Sequence, residues 1–150
     1  MALDNLADYF PDWKEREALA EAMIPLIGSL YRKNVVTYCY GRALYNQTDT
    51  QIMKTHRYVR QVAQNELSEV ESHPILDEMA KLNLGPSHID VGKLATKFMG
   101  ESETQQVDVA DFVRKECQEV IDSDTSPLSE PQDVVLYGFG RIGRLLARLL

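Results

Sequence analysis

The sequence has 150 residues, a formal net charge of -7 and 44% hydrophobic residues, which are the proportions of one ordinary globular domain. This composition excludes a disordered or fibrous chain, and the acidic balance argues against nucleic-acid binding, which needs clustered basic residues. No apolar run approaches the roughly 18 residues of a membrane-spanning helix, and the first ten residues carry no secretory signal. We therefore expect a cytoplasmic protein that binds neither membranes nor nucleic acid.

An amphipathic helix is the first element that the sequence predicts. Asp12 and Glu15 have the spacing of a capping box, which places the start of the helix at Asp12. Its apolar face repeats with helical spacing over Leu19, Met23, Leu26, Ile27 and Leu30. Pro25 predicts a kink. Residues 34–46 then crowd β-branched and aromatic side chains around Gly41, which predicts a short strand or hairpin.

Four more helices are predicted between residues 48 and 121. Their apolar faces are formed by Ile52, His56, Val59 and Ala63, then by Ile75, Leu76, Met79 and Leu82, by Val91, Leu94, Ala95 and Phe98, and by Val109, Val113, Cys117 and Val120. The first of these helices is predicted to start at Thr48, and the second has Pro74 in its first turn and stops at Gly85 and Pro86. The third ends at Gly100, and Asp108 caps the fourth. The predicted fold is mainly α: residues 1–121 form a helical domain of about five helices with, at most, a small β-hairpin.

The side chains that carry chemistry in this helical part have structural interpretations. Cys39 and Cys117 lie among apolar neighbours without the spacing of a metal or redox pair, so we expect buried, reduced thiols. His56 shares an apolar helix face, which favours a hydrogen-bonded core imidazole over a ligand. His73 and His88 are expected at a helix start or in a loop. We predict no catalytic residue and no metal ligand here.

Charge is distributed unevenly along the chain. From Arg32 to Arg60 there are six basic residues against one acidic residue, which gives this stretch a charge of +5. Lys54, Arg57 and Arg60 follow one side of a predicted helix. A solvated helix face is the first interpretation, and a docking surface for an acidic partner is the alternative.

A change of composition marks the end of the helical domain. Residues 122–133 contain two prolines, three serines and four acidic residues, and they are predicted to be a linker. The apolar segment Val134–Leu136 then predicts a strand, Gly138, Gly140 and Gly143 form a G-x-G-x-x-G turn, and a helix is predicted from Ile142. This order is typical of the first strand, turn and helix of a Rossmann domain, whose helix start receives a pyrophosphate. Residues 134–150 are therefore predicted to be the incomplete start of such a domain, and a Gly-rich turn without a ligand is the alternative.

The residues between these glycines carry a family resemblance. "GFGRIGR", Gly138 to Arg144, resembles the NAD-binding signature of glyceraldehyde-3-phosphate dehydrogenases. The resemblance implies a cofactor site formed by Gly138, Phe139, Gly140, Arg141, Ile142 and Gly143, largely through backbone N–H groups. Tyr137 departs from the family, which has Asn there. "PSHIDVGKLATKF" in the helical part is similar to the amino-terminal extension of a long bacterial form of that enzyme.

The resemblance implies that the chain is the amino-terminal fragment of an NAD-dependent dehydrogenase of glycolysis or gluconeogenesis. Its substrates would be glyceraldehyde 3-phosphate and phosphate, and the enzyme would be a homo-oligomer; the motif does not separate NAD from NADP. The family's nucleophilic cysteine and its histidine partner belong to the later catalytic domain, so we expect an inactive fragment. A non-catalytic helical interaction or regulatory module is the alternative function. Residues 134–150 are expected to pack against the helical domain or a second copy, because their apolar side chains need cover.

Overall fold

A computed structural model of the chain describes residues 6–63, 67–124 and 133–149, with side chains from residue 12 onward. Within these ranges the chain forms six helices and three short strands. In chain order they are α1 (Leu6–Arg32), β1 (Val35–Cys39), β2 (Arg42–Ala43), α2 (Asp49–Ala63), α3 (Glu69–Lys81), β3 (Ser87–Asp90), α4 (Val91–Ser102), α5 (Val109–Glu116) and α6 (Arg141–Leu146). The predicted mainly helical architecture is confirmed, and five of the six helices precede residue 121.

The strands form a mixed sheet in the order β2-β1-β3. β1 and β2 make the predicted hairpin, whose turn residues Tyr40 and Gly41 have φ angles of 49° and 77°. Left-handed backbone at both positions is what a tight two-residue hairpin requires, because its twist then matches that of the strands. β3 runs parallel to β1 and was not predicted. Its four residues directly after Pro86 are too few to show an alternating pattern, which explains why the strand was not predicted. His88 therefore lies in a strand and not, as expected, at a helix start or in a loop.

Four predicted helix boundaries of the helical domain are wrong. α5 ends at Glu116, so Val120 of its predicted apolar face lies after the helix. α1 begins at Leu6, so Asp12 lies inside the helix rather than at its cap. α3 begins at Glu69, where Ser68 and Glu71 form a complete capping box, and Pro74 therefore lies in the helix interior, as does His73. α4 continues past Gly100 to Ser102. In α3 the reason is that Ser68 and Glu71 satisfy the first N–H groups more than a turn before the proline. The predicted Asp108 cap of α5 is confirmed, since its carboxylate accepts from the N–H groups of Ala110 and Asp111.

A hydrophobic core lies between the helices and the inner face of the sheet. α1 packs against α2, α3 and β1, while α3 also packs against α4 and α5. The largest fully buried apolar side chains of this core are Phe112, Met23, Leu30, Leu44, Ile52, Leu67, Ile75, Leu76 and Met79. Cys39 and Cys117 are buried and not disulfide-bonded, which confirms the interpretation of both as core thiols.

The carboxyl end of the helical domain returns to α3. Leu84 forms a bridge with Ile121, and the N–H of Asp122 donates to the carbonyl of Asn83 at 2.8 Å. A Cβ on Gly85 would lie 1.8 Å from the carbonyl oxygen of Ser123, so only glycine permits this approach. Contacts with the helical domain thus extend into the first two residues of the predicted linker. Residues 125–132 lie outside the described part, and the linker stays a prediction.

Candidate functional site

The glycine-rich turn has a geometry that depends on its glycines. Gly138 has a φ of 95°, which side chains other than glycine rarely adopt. Gly143 is buried, and a Cβ there would lie 2.2 Å from the carbonyl oxygen of Gly138. Gly140 precedes α6, and a Cβ added to it would meet no atom within 4 Å. Two glycines are thus required by the turn itself, while the third leaves its backbone open to an approaching group.

The six residues predicted to bind cofactor lie together around this turn. An open groove of about 570 Å³ is lined by Val135, Leu136, Tyr137, Gly138, Gly140, Arg141, Ile142, Gly143 and Leu146. Phe139 does not line the groove, but its side chain is exposed, as are those of Arg141 and Ile142. Nearby N–H groups are available because the first N–H groups of a helix, here α6, have no acceptor within it.

The strand predicted before the turn is not formed. Residues 133–136 have no regular secondary structure, because a strand exists only where a neighbouring strand accepts and donates its backbone hydrogen bonds. The helix starts at Arg141, one residue before its predicted position. Val135, Ile142 and Leu149 are 86%, 74% and 84% exposed. The helical domain therefore does not cover these three side chains in the single chain, and the alternative expectation, cover by a second copy, stays a prediction.

A second cluster of polar side chains lies inside the helical domain. Arg16 on α1 donates from Nε to Oε2 of Glu69 on α3 at 2.8 Å, and Glu69 is completely buried. Glu69 Oε1 lies 3.3 Å from Nδ1 of His56 on α2. The other ring nitrogen, Nε2, lies 2.7 Å from the hydroxyl of Ser72. Four side chains from three helices thus form one chain of polar contacts, which we call the buried polar cluster.

Burial sets the protonation of this cluster. It lowers the pKa of His56, and although the nearby Glu69 carboxylate acts in the opposite direction, burial dominates and the ring is neutral at pH 7. Nδ1–H then donates to the carbonyl of Ile52 at 2.9 Å, while Nε2 lies 2.7 Å from the Ser72 hydroxyl, whose one proton has two possible acceptors, this nitrogen and the carbonyl of Ser68, also at 2.7 Å. Glu69 Oε1 consequently has no hydrogen bond within the described part of the chain, despite its proximity to the ring. The prediction that His56 is a hydrogen-bonded core residue is confirmed.

The order serine, histidine, carboxylate is also that of a hydrolase triad, but its burial opposes this chemistry. Ser72, His56 and Glu69 are 1%, 0% and 0% exposed, so no substrate reaches the hydroxyl. The thiols are no better as nucleophiles, because burial raises the pKa of Cys39 to about 12 and that of Cys117 to about 11. The buried polar cluster is thus a structural feature at which α1, α2 and α3 meet.

Sequence reasoning identified His56 but missed its partners. Ser68 and Glu71 have the spacing of a capping box, and this signal would have placed Glu69 in a first turn and Ser72 four residues after the cap. Arg16 gives no comparable signal, because its pairing with Glu69 joins residues 53 positions apart. Among the described residues no group of three or more potential ligands is arranged to hold a metal ion. None of the described helices combines the length and apolarity needed to span a membrane.

These features define a class of protein: a helical domain with a small mixed sheet, followed by a glycine-rich turn and a short helix. Comparison with known proteins gives a particular relative. A "Glyceraldehyde-3-phosphate dehydrogenase-like protein" of Pseudomonas aeruginosa (strain UCBPP-PA14) is 50% identical to this chain over 131 residues. The match covers 85% of this chain and 28% of the relative, and no family model matches. The resemblance inferred from the sequence is confirmed, and the coverage is consistent with an amino-terminal part of a longer protein.

Proposed function

We propose that this chain is the amino-terminal part of a phosphorylating, NAD-dependent glyceraldehyde-3-phosphate dehydrogenase of the cytoplasm, assembled as a homo-oligomer. The observation that carries the proposal is the seven-residue sequence "GFGRIGR" on a turn in which Gly138 has a positive φ and Gly143 has no room for a side chain. The name of the Pseudomonas relative supports the same origin. A glycine-rich turn with no ligand would not need this particular run of residues.

The turn fits the pyrophosphate of NAD. Gly140 leaves open space at its Cα, so a phosphate can reach the backbone without meeting a side chain. Arg141, Ile142 and Gly143 would hold the phosphates through the N–H groups of the first turn of α6. NAD supplies the hydride acceptor of the reaction, and the residues of this chain only bind and orient it. The turn offers nothing that separates NAD from NADP.

We expect this chain to be inactive by itself. Its thiols are buried and protonated at neutral pH, and Ser72 and His56 are inaccessible. The nucleophile and base would come from the remainder of the longer protein, which also carries the sites for glyceraldehyde 3-phosphate and phosphate. Incubation of the isolated chain with both substrates and NAD should give no NADH absorbance above the blank, and turnover that persists through purification would contradict the proposal.

The test of cofactor binding uses the full-length protein that contains this chain. Gly140→Val places a branched side chain where the pyrophosphate would approach, without a clash inside the turn. We expect a KM for NAD raised at least about tenfold, since backbone contacts to the cofactor are lost. Gly100→Val is the matched control, because that position also has open space but lies in α4. Equal KM values in both variants, or no NADH formed by the wild-type protein, would refute the proposal.

A second candidate function concerns the helical domain alone. Residues 1–121 would form a non-catalytic interaction or regulatory module, and the supporting observation is that both thiols, Ser72, His56 and Glu69 are buried within the helical domain's own core. Deletion of these residues from the full-length protein separates the candidates. A module leaves the chemical step unchanged, whereas loss of kcat in a correctly folded deletion variant would assign the helical domain a part in catalysis.

A further inference from the structure

A basic surface on β2 and α2 has no role in the proposed function. We define the basic face by Arg42, Lys54, Arg57 and Tyr58, all of which are exposed. Lys54 and Tyr58 are four residues apart on α2 and therefore lie on the same side of that helix. Within the described ranges, none of the three cations forms a salt bridge. All four residues belong to the stretch from Arg32 to Arg60, which has a charge of +5.

An aromatic contact holds this face in place. The guanidinium of Arg42 lies 3.5 Å from the centroid of the Tyr58 ring, which joins β2 to α2. Such a cation–π contact orders an arginine that would otherwise sample many rotamers, so less entropy is lost when it binds a carboxylate. Arg and Tyr are also residue types that protein interfaces favour. The basic face is therefore better prepared for an acidic protein surface than a set of independent lysines.

The same chain carries an acidic surface. Residues 101–124 contain eight acidic and two basic residues, a net charge of -6. We define the acidic face by Glu103, Asp111 and Glu119, which are exposed on and around α4 and α5. Lys97 and Lys115 nearby pair with Glu116 and Glu101 at 2.6 and 4.0 Å, whereas Arg114 on α5 is exposed and forms no salt bridge among the described residues. The three carboxylates of the acidic face have no salt bridge among the described residues.

The two faces belong to different parts of the domain. α2 packs against α1 and β1, whereas α5 packs against α3 and α4. A single chain therefore presents both charges to solvent at once. We propose that the basic face of one chain binds the acidic face of a second copy. Because the two surfaces of this contact differ, the association is head to tail, and it closes into a ring or continues as a chain of copies.

The net charge determines the conditions for this contact. Two copies of charge -7 repel each other at long range. At about 0.1 M salt, interactions between charges more than about 10 Å apart are largely screened, whereas ion pairs in direct contact are screened much less. Association is therefore expected near physiological salt, and it should weaken at about 1 M salt, where screening extends to about 3 Å. Residues 134–149, which we call the glycine-rich segment, also expose apolar side chains. Association through these side chains should become stronger at high salt, because high salt strengthens apolar association. Salt dependence thus separates the two causes.

Sedimentation velocity over a concentration series of the 150-residue chain tests the proposal. One variant reverses the basic face with Lys54→Glu and Arg57→Glu, and the other reverses the acidic face with Glu103→Lys and Glu119→Lys. Each is expected to lower the association constant at least about tenfold, since like charges then meet at the contact. An equimolar mixture of the two variants should associate again, because the reversed faces are complementary to each other. Matched controls with the same changes in charge are K14E/K93E and E15K/E21K, at exposed positions outside both faces.

Three results would overturn the proposal. A wild-type chain that stays monomeric at the highest concentration excludes the contact. Association that the face variants and the controls reduce equally indicates a general effect of charge. A monomeric chain that binds a fluorescent oligo(dT) strand, and loses this binding in the K54E/R57E variant, assigns the basic face to nucleic acid instead. Restored association in the mixture alone supports the head-to-tail contact.

Discussion

Glu69 is a carboxylate in the core, and its partners explain how the core contains it. Arg16 neutralises its charge at 2.8 Å while remaining 13% exposed at the edge of the domain. An isolated buried charge costs several kcal/mol, and such a pair seldom adds net stability over apolar residues of the same volume. The buried polar cluster therefore specifies how α1, α2 and α3 pack rather than how strongly. Each of these helices contributes at least one member, so a shift of any helix breaks a contact.

His56 makes the stability of the domain depend on pH. Burial lowers the pKa of this residue below its value of 6.5 in the unfolded chain, so below pH 6.5 the unfolded state binds a proton that the folded state refuses. The stability that the neutral His56 ring contributes is fully present above pH 6.5, and it is lost as the pH falls toward the lowered pKa of the folded state. We expect the free energy of unfolding to fall by at most about 1.4 kcal/mol per pH unit through His56. Urea titrations between about pH 7.5 and pH 5 measure this slope.

Replacing the histidine isolates its contribution. His56→Gln should flatten the slope, whatever its effect on stability at neutral pH, because glutamine does not titrate. His88→Gln replaces an exposed histidine and is the matched control for the substitution itself. If His56→Gln and the wild-type protein lose stability in parallel over this range, other groups account for the pH dependence.

At the scale of elements, the close contact of α4 with β1 rests on one glycine. A Cβ on Gly92 would lie 2.6 Å from Sγ of Cys39 and 3.1 Å from Cδ2 of Tyr40. Asp90 reinforces this contact, since its carboxylate accepts from the N–H groups of Tyr40 and Gly41 in the hairpin turn, both at 2.9 Å, and caps α4 through Lys93. One helix start thus fixes the hairpin against the domain.

Two glycines of α4 should respond oppositely to alanine. Gly92→Ala is expected to destabilise the domain by about 1–3 kcal/mol, because overpacking exceeds the gain in helix propensity. Gly100→Ala, in the same helix with open space around it, should stabilise by about 0.5–1 kcal/mol. Urea unfolding of both variants measures the difference, and the additional change Cys39→Ala should partly rescue Gly92→Ala by removing the nearest atom. Equal effects of the two alanines would mean that α4 does not approach β1 so closely.

At the scale of the whole molecule, the glycine-rich segment and the helical domain differ in how they bury apolar surface. The helical domain has a continuous core, whereas residues 134–149 expose most of their large apolar side chains. Exposed apolar residues contribute no packing energy, so this segment adds little to the stability of the chain. In a complete nucleotide-binding domain the same residues would lie between a sheet and its covering helix.

Truncation after Glu130 tests this difference. The free energy of unfolding of the helical domain should stay within about 0.5 kcal/mol of that of the full chain, because no core residue is removed. Binding of a dye that reports exposed apolar surface should decrease. A clear loss of stability on truncation would show that residues 134–149 pack against the domain in solution.

Much of the fold was predictable from local signals. The apolar faces of α1 to α5, the Asp108 cap and the turn at Gly41 depend on neighbours within a few residues, so their patterns are visible in the sequence. The glycine-rich motif was equally visible, since Gly138 and Gly143 are needed for the conformation of the turn itself. The early start of α3 is not predicted although the Ser68 capping box is present, because Pro74 is itself typical of the first turn of a helix.

The sequence by itself determined the class of secondary structure, the buried state of the cysteines and His56, and the relationship to a glyceraldehyde-3-phosphate dehydrogenase-like protein. Only the tertiary structure decided that β3 pairs with β1, that Arg16 reaches Glu69, and that the segment before Gly138 forms no strand. The physical reason is the range of the interactions. Helical faces and turns depend on the chain's own neighbouring residues, whereas strand pairing and buried ion pairs require partners that are distant in sequence.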